Sequence, residues 1–402
     1  MKHPISKLAV WLVSTAMTVC AALAQDLTIS TTPGEGGEAS VRMIGINGNQ
    51  ELESLVPQYI KASGWLTLSG STSADFELRG SANSTTCQYV LSSGGREITS
   101  GRVSFNTARE GARKVVDAML QKIFPKEDVK ELCQSKIAFC ADLGRDRREI
   151  FTCDIAGGDV KQITDFKSLC VEPSWSPDSK SIGYTKYSTG STTILQTRLS
   201  PLGTKRLTNL RGLNVGTSFS PDFTKIAFVG SFEDRLELYV QNLGSHSQLR
   251  LTNGPAVEAS PCWNPAGDTV CYVSNEGGRV PRLFTVNLAA KSIKRLTTLG
   301  SEAATPDWSR QNRIVYAAKI NGSYKLAVND MNGEEPPKQI VSDVGEWESP
   351  SWAPDGRHIV CARTSGGQTS LYVVDSLKGT SRLLLKTKNK LTMPSWSPGA
   401  VR

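Results

Sequence analysis

One phrase recurs through the last two thirds of the chain, and its spacing limits the fold more than any other feature. "EPSWSPDSKSIGYT" starts at Glu172, "VGTSFSPDFTKIAFVG" at Val215 and "ASPCWNPAGDTVCYVS" at Ala259. Its aromatic residue falls at Trp175, Phe219, Trp263, Trp308, Trp352 and Trp396, with spacings of 44, 44, 45, 44 and 44. A second marker keeps step: "QIT" at Gln162, "RLT" at Arg206, Arg250 and Arg295, "QIV" at Gln339 and "RLL" at Arg382. A third lies between them, as in "LYVQNL" (238–243) and "LFTVNL" (283–288).

Each copy reads as four short strands separated by Pro, Gly, Asn and Asp, the residues tight turns need. A period near 44 with four strands per period predicts a propeller blade. One such sheet cannot bury both faces; a ring of sheets can. The first copy opens at "KIAFC" (136–140) with no Trp strand before it, and the last stops at "PSWSP" (394–398). The C-terminal strand therefore completes the first blade. The fold class is mainly β, a six-bladed β-propeller over 134–402 with a small N-terminal α/β domain over 25–133.

The repeated aromatic residue reads as packing between sheets, and "SPD" or "PDG" as a turn. Asp178, Asp222 and Asp355 do not form a carboxylate ring, because Ala266, Arg310 and Gly399 hold the matching places. Before the blades, 51–63 and 108–124 read as helices, the second with Val115, Val116, Met119, Leu120 and Ile123 on one stripe. Strand-like runs surround them, and 125–135 is the linker. It enters a second strand at its start, so the small domain is expected on the face carrying the "SPDG" turns. The opposite face, with the fourth-to-first-strand loops, is expected to be freer.

Residues 1–24 carry Lys2 and Lys7, an apolar run and the terminal "ALA", the pattern of a cleaved secretory signal peptide. Ser14, Thr15 and Thr18 and the short run argue against an anchor. Cys20 follows Val19 rather than a small residue, which argues against lipidation. The formal charge of +8 drops to +6 when Lys2 and Lys7 leave. The bases are dispersed, and "RDRRE" (145–149) reads as a hairpin tip, so no nucleic-acid patch is expected.

Eight cysteines follow the signal peptide. Cys262 and Cys271, and Cys140 and Cys153, lie symmetrically about turns and could face each other across strands; adjacent reduced thiols are the alternative. There is no CxxC, and His246 and His358 read as isolated surface residues, so no metal or cofactor is expected. "GEGGEA" (34–39) matches a phosphate fingerprint but precedes a strand, not a helix. No catalytic motif is present, and Glu334, Glu335, Glu346 and Glu348 read as loop carboxylates.

A signal peptide, a small α/β domain and six "P-x-W-S-P-D-G…I-A-F…L-T" blades resemble the TolB family of periplasmic Tol–Pal proteins. "VPQYIKASGWL" and "GARKVVDAMLQKIFPK…SKIAFC" are similar to its helix ends and joining segment. Arg113 stands where the family has His, and the Gly–Phe before the first blade is missing. The resemblance implies a non-enzymatic, monomeric scaffold in the periplasm, with no membrane insertion once the signal is cleaved. Its propeller would hold a Pal-like peptidoglycan-associated lipoprotein, and its N-terminal segment (25–37) a TolA-like inner-membrane protein. The implied contact residues are Gln25, Asp26, Leu27, Thr28 and Ile29 in that segment. In the fourth-to-first-strand loops they are Glu172, Pro173, Asn214, Glu258, Glu302, Glu346 and Glu348. The competing readings are a propeller enzyme and a propeller binding glycan or peptide in its channel.

Overall fold

The computed structural model describes residues 39–401 apart from 209, 233 and 234. The expected signal peptide, most of "GEGGEA" and Gln25–Ile29 lie outside the described residues.

Six four-stranded antiparallel sheets form the propeller. Blades 2 to 6 span 170–206, 214–250, 258–295, 303–339 and 346–385. Blade 1 takes three strands from 136–162 and its innermost strand, Leu391–Trp396, from the far end of the chain. Trp396 pairs with Ile137 and Leu391 with Ala141, so the ring closes as the truncated first and last repeats require.

The repeated aromatics do more than fill space. Trp175 Nε1 donates to Ser395 O at 3.1 Å, Trp263 Nε1 to Ser218 O at 3.1 Å and Trp352 Nε1 to Asp307 O at 3.2 Å. Each bond reaches the innermost strand of the preceding blade, so the indole joins two blades while its ring is buried. The "RLT" marker ends the outer strand: Arg206, Arg250 and Arg295 are last in their strands. The following Leu207, Leu251 and Leu296 turn inward and are buried.

The N-terminal layer is a five-stranded mixed sheet. Its strands, in chain order, are β1 (Ala39–Asn47), β2 (Leu66–Leu68), β3 (Phe76–Ala82), β4 (Thr86–Ser93) and β5 (Arg96–Ser104), arranged β2-β1-β3-β4-β5. Helix α1 (Gln50–Ser63) starts where the Asn49 side chain accepts from Leu52 N and ends at Gly64, whose φ of 69° favours glycine. Helix α2 (Ala108–Ile123) is capped by Thr107 and buries Val115, Val116, Met119 and Leu120.

This layer packs on the turn face of blades 6 and 1, as the linker geometry predicts, and Gln311 of blade 5 donates to Asp128 of the linker at 3.0 Å. One apolar core runs from Leu52, Tyr59 and Met119 into Phe139 of blade 1 and Val360 and Leu371 of blade 6. Polar contacts fix the seam. Tyr59 Oη donates to Asp154 Oδ2 at 2.6 Å, and Arg109 Nη1 donates to both. Arg382 Nη2 donates to Ala62 O at 2.8 Å and Ile155 O at 3.0 Å. Desolvation lowers the pKa of this buried guanidinium to about 10.

Two expectations fail here. His358 is not a surface residue: it is 4% exposed, with Nδ1 2.6 Å from Asp355 Oδ2. The small domain covers it, a tertiary contact that its "GRHIV" neighbours do not encode. Cys140 and Cys153 do not face each other, because Cys140 pairs with Ile150 and Cys153 with Ile137. Cys140 lies four residues before the turn's Gly144 but Cys153 six after its Arg147, so the two are not symmetric about it, and the bulge between Asp142 and Gly144 shifts the register by only one residue.

Candidate functional site

The innermost strands converge on a central channel, and all six carry the same irregularity. Three residues before each aromatic, the backbone enters the left-handed region: Glu172 at φ 57°, Gly216 at 67°, Ser260 at 49°, Thr305 at 47°, Ser349 at 50° and Met393 at 51°. Pairing with the second strand slips in register there. Five of these positions are not glycine, which costs roughly 1–2 kcal/mol each. The next residue is Pro173, Pro261, Pro306, Pro350 or Pro394 in five blades. A proline is tolerated because this strand is an edge facing the channel and its N–H is not needed for the ladder. Bulges of this kind re-aim side chains next to functional sites.

The resulting cavity has a volume of about 270 Å³ and opens on the side of the fourth-to-first-strand loops, away from the N-terminal layer. Its wall alternates proline, small hydroxyl residues and a few charges: Asp142, Glu172 and Glu348 against Arg148 and Lys390, with Tyr324 at the rim. Glu172 Oε2 accepts from Thr185 Oγ1 and from Gly216 N, both at 2.9 Å, so it bridges blades 2 and 3. Burial raises its pKa, partly offset by those donors. Burial, with the Glu346 charge adding to it, pushes Glu348 up to about 7.

At the rim Tyr324 links two acids. Its hydroxyl donates to Glu302 Oε2 at 2.6 Å and its backbone N–H to Glu346 Oε2 at 2.7 Å. Lys319 Nζ sits 2.9 Å from Glu302 Oε1. These contacts hold Glu302 below the usual carboxylate range against the opposing effect of burial. Ser323 Oγ donates to Glu346 Oε1 at 2.9 Å, so every oxygen of Glu302 and Glu346 is held by a donor and the two acids are fixed in place.

The expected contact residues divide into three groups, and their expected loop placement holds for Glu302 and is corrected for the others. Glu172, Pro173 and Glu348 lie within innermost strands and line the channel. Glu302, directly before a strand, and Glu346, first in one, are rim residues. Asn214 and Glu258 begin strands and are buried between blades. Asn214 Nδ2 donates to Leu210 O at 3.0 Å, so it staples a loop. Glu258 Oε2 is buried without a hydrogen-bond partner. Burial, then the Glu237 and Glu276 charges, push this acid up to about 8 against the Ser274 hydroxyl. The strands begin earlier than expected because pairing resumes on the far side of the bulge, as with Glu258 opposite Ser274.

Sequence reasoning missed Tyr324, Arg148, Lys390, Thr305, Ser349 and Met393. The last three had a legible signal: the fixed place three residues before the aromatic. Serine and threonine hydroxyls face the channel, but the described histidines do not. His246 is exposed on a turn, and His358 lies at the domain seam. Among the described residues no group of three or more His, Cys, Asp or Glu is placed to hold a metal ion. No described helix is long and apolar enough to cross a membrane. The channel therefore offers shape, hydrogen-bond acceptors and charge.

The family model described as "TolB beta propeller domain" matches residues 128–400. "Protein TolB homolog" of Chlorobium chlorochromatii is 28% identical over 46% of this chain and 44% of its own length. "Tol-Pal system protein TolB" of Bordetella parapertussis is 23% identical over 74% of this chain and 67% of its own length. The chain thus aligns with less than half of the first relative. TolB from Acinetobacter baumannii superposes with a TM-score of 0.79 at 22% identity, covering 90% of this chain and 97% of that one. With a propeller match over more than half its length and an N-terminal layer superposing on the same fold, this chain belongs to the TolB family.

Proposed function

We propose that this protein is an exported, periplasmic binding scaffold of a Tol–Pal-like envelope system. The observation that carries the reading is the asymmetry of the propeller. The N-terminal layer closes the turn face over blades 6 and 1, while the channel opens on the other face with a pre-organised rim of Glu302, Tyr324 and Glu346 and with Glu348 in its wall. A site rigid before binding loses little ordering entropy on association. Acceptors and apolar wall together suit a protruding protein loop with hydrogen-bond donors or a cationic side chain.

On this reading the channel face holds a peptidoglycan-associated, Pal-like lipoprotein. The segment 25–37 reaches a TolA-like membrane-anchored protein by adding a strand to that partner's sheet edge. The protein works as a monomer and without catalysis. The relatives' membership of the Tol–Pal system supports the partner classes; the channel geometry supports where the first would bind.

The test is a pull-down from envelope extracts with residues 25–402 and with residues 39–402, which retain the whole of β1. Both forms should recover the lipoprotein, and only the longer one the membrane-anchored protein. Retention of a saccharide or free peptide, with no envelope protein bound to either form, would replace the scaffold by a ligand-binding or enzymatic propeller.

A further inference from the structure

We propose that Cys262 and Cys271 form a buried structural disulfide when the chain folds in an oxidising compartment. The inference rests on the export reading above.

The first and second strands of blade 4, Glu258–Trp263 and Thr269–Ser274, place the two cysteines directly opposite each other. Opposed residues of an antiparallel pair have Cα atoms roughly 4.5–5.5 Å apart, inside the window of roughly 4.4–6.8 Å that a disulfide spans. Both side chains enter the same core between blades 4 and 5, among Ala303, Ile314 and Tyr316. They therefore point to one face of the sheet, which bridging requires. Both thiols are free in the structure. Burial, then the neighbouring Cys271 thiol and its charge, and the field of Asp307, push Cys262 well above the ordinary thiol range.

That environment sets the order of events. The folded pair excludes an oxidant, since Cys262 is 6% exposed and Cys271 is 0% exposed. Exchange also needs a thiolate, which burial disfavours. Oxidation must therefore precede docking of blade 4 against blade 5. The hairpin allows this, because its turn brings the cysteines together with only local chain closure. The oxidant is a protein or small-molecule disulfide. One cysteine thiolate attacks it, forming a mixed disulfide and releasing one thiolate. The second cysteine thiolate attacks the mixed disulfide, closing the Cys262–Cys271 bond and releasing the other. The protein loses two protons and two electrons, and the oxidant's disulfide becomes two thiols. Once docked, the bond is shielded from exchange.

None of the other described cysteines has a partner directly opposite on an adjacent strand. Cys140 pairs with Thr392 on one side and Ile150 on the other. Cys361 pairs with Tyr372 and Cys87 with Val103.

The experiment is peptide mass mapping after alkylation. Residues 251–279 contain both cysteines between consecutive arginines, so one tryptic peptide reports the bond. Full-length protein, denatured and reduced, is refolded in a buffer of oxidised and reduced glutathione. The expected peptide is two hydrogens lighter than the dithiol and carries no alkyl group. The other cysteines should be alkylated once the protein is unfolded. A doubly alkylated 251–279 peptide from correctly refolded protein overturns the proposal. A second readout is thermal: reductant present during refolding should lower the melting temperature of the wild type but not of Cys262→Ala/Cys271→Ala. Equal sensitivity in both also overturns it. Export is scored separately by cell fractionation. A cytosolic protein that still forms the bond in glutathione buffer refutes the export reading alone. An exported protein that never forms it refutes this inference alone.

Discussion

The indole of Trp65 donates from Nε1 to Asp355 Oδ2 at 2.9 Å, tying the end of α1 to the first turn of blade 6. The same carboxylate oxygen lies 2.6 Å from His358 Nδ1, and the Arg357 guanidinium sits 4.6 Å from the Trp65 ring. Arg357 in turn bonds Asp375 Oδ2 at 2.6 Å. A turn residue that reads as architecture within its own blade thus also latches the second layer. Trp65→Phe should cost about 1–2 kcal/mol, because Asp355 keeps its burial and loses a donor. Urea denaturation with circular dichroism measures it, and an unchanged midpoint would show that the latch carries no stability.

The same seam makes Gly64 specific. A Cβ there would lie 2.2 Å from His358 Nε2, and the residue holds φ 69°. Gly64→Ala should therefore destabilise by about 1 kcal/mol or more from backbone strain alone, with the displacement of His358 adding to it. Thermal denaturation of the variant beside Gly94→Ala, where the added Cβ meets open space, separates packing from backbone strain.

Glu258 predicts a pH dependence. Its folded pKa, about 8, lies above the unfolded value of a glutamate. The native state therefore binds this proton more tightly, and its contribution is full below the unfolded pKa and lost as pH rises through about 8. Glu258→Gln should match the wild type near pH 4, below the unfolded pKa, and exceed it by on the order of 2 kcal/mol or more near pH 9. Denaturant midpoints at the two pH values check the sign; a variant less stable at the higher pH contradicts it.

Much of this fold was legible because repetition makes a local signal visible six times. The period, the turns and the missing halves of the first and last repeats gave the ring and its closure. The candidate site was less legible. The bulge depends on Glu172, Ser260, Thr305, Ser349 and Met393, residues with no shared chemistry, so only their position repeats. Asp355 gains a donor, and His358 its cover, from Trp65 just past the end of α1, nearly 300 residues earlier in the chain, and no short-range pattern reports such a contact. Asn214 and Glu258 look like loop residues because polar side chains at a strand start ordinarily face water; here the next blade covers them.

Closure itself is open to test. Removing residues 391–402 leaves Lys136–Gly144 without its innermost partner and exposes Ile137 and Ala138, both buried in the intact ring. The truncated chain should lose its cooperative thermal transition and bind a hydrophobic dye. A sharp transition close to that of the full chain would mean that the C-terminal strand is dispensable.

Calorimetry asks whether the open channel mouth binds a protein partner. Purified peptidoglycan-associated lipoprotein from the same organism is titrated into the wild type, Glu348→Lys and Leu202→Ala, the last altering an exposed residue on an outer strand. The wild type should bind, Glu348→Lys should bind at least tenfold more weakly, or by about 1.4 kcal/mol, and Leu202→Ala should be unchanged. Equal affinity for Glu348→Lys and the wild type, or a loss confined to Leu202→Ala, would move the binding site off the channel.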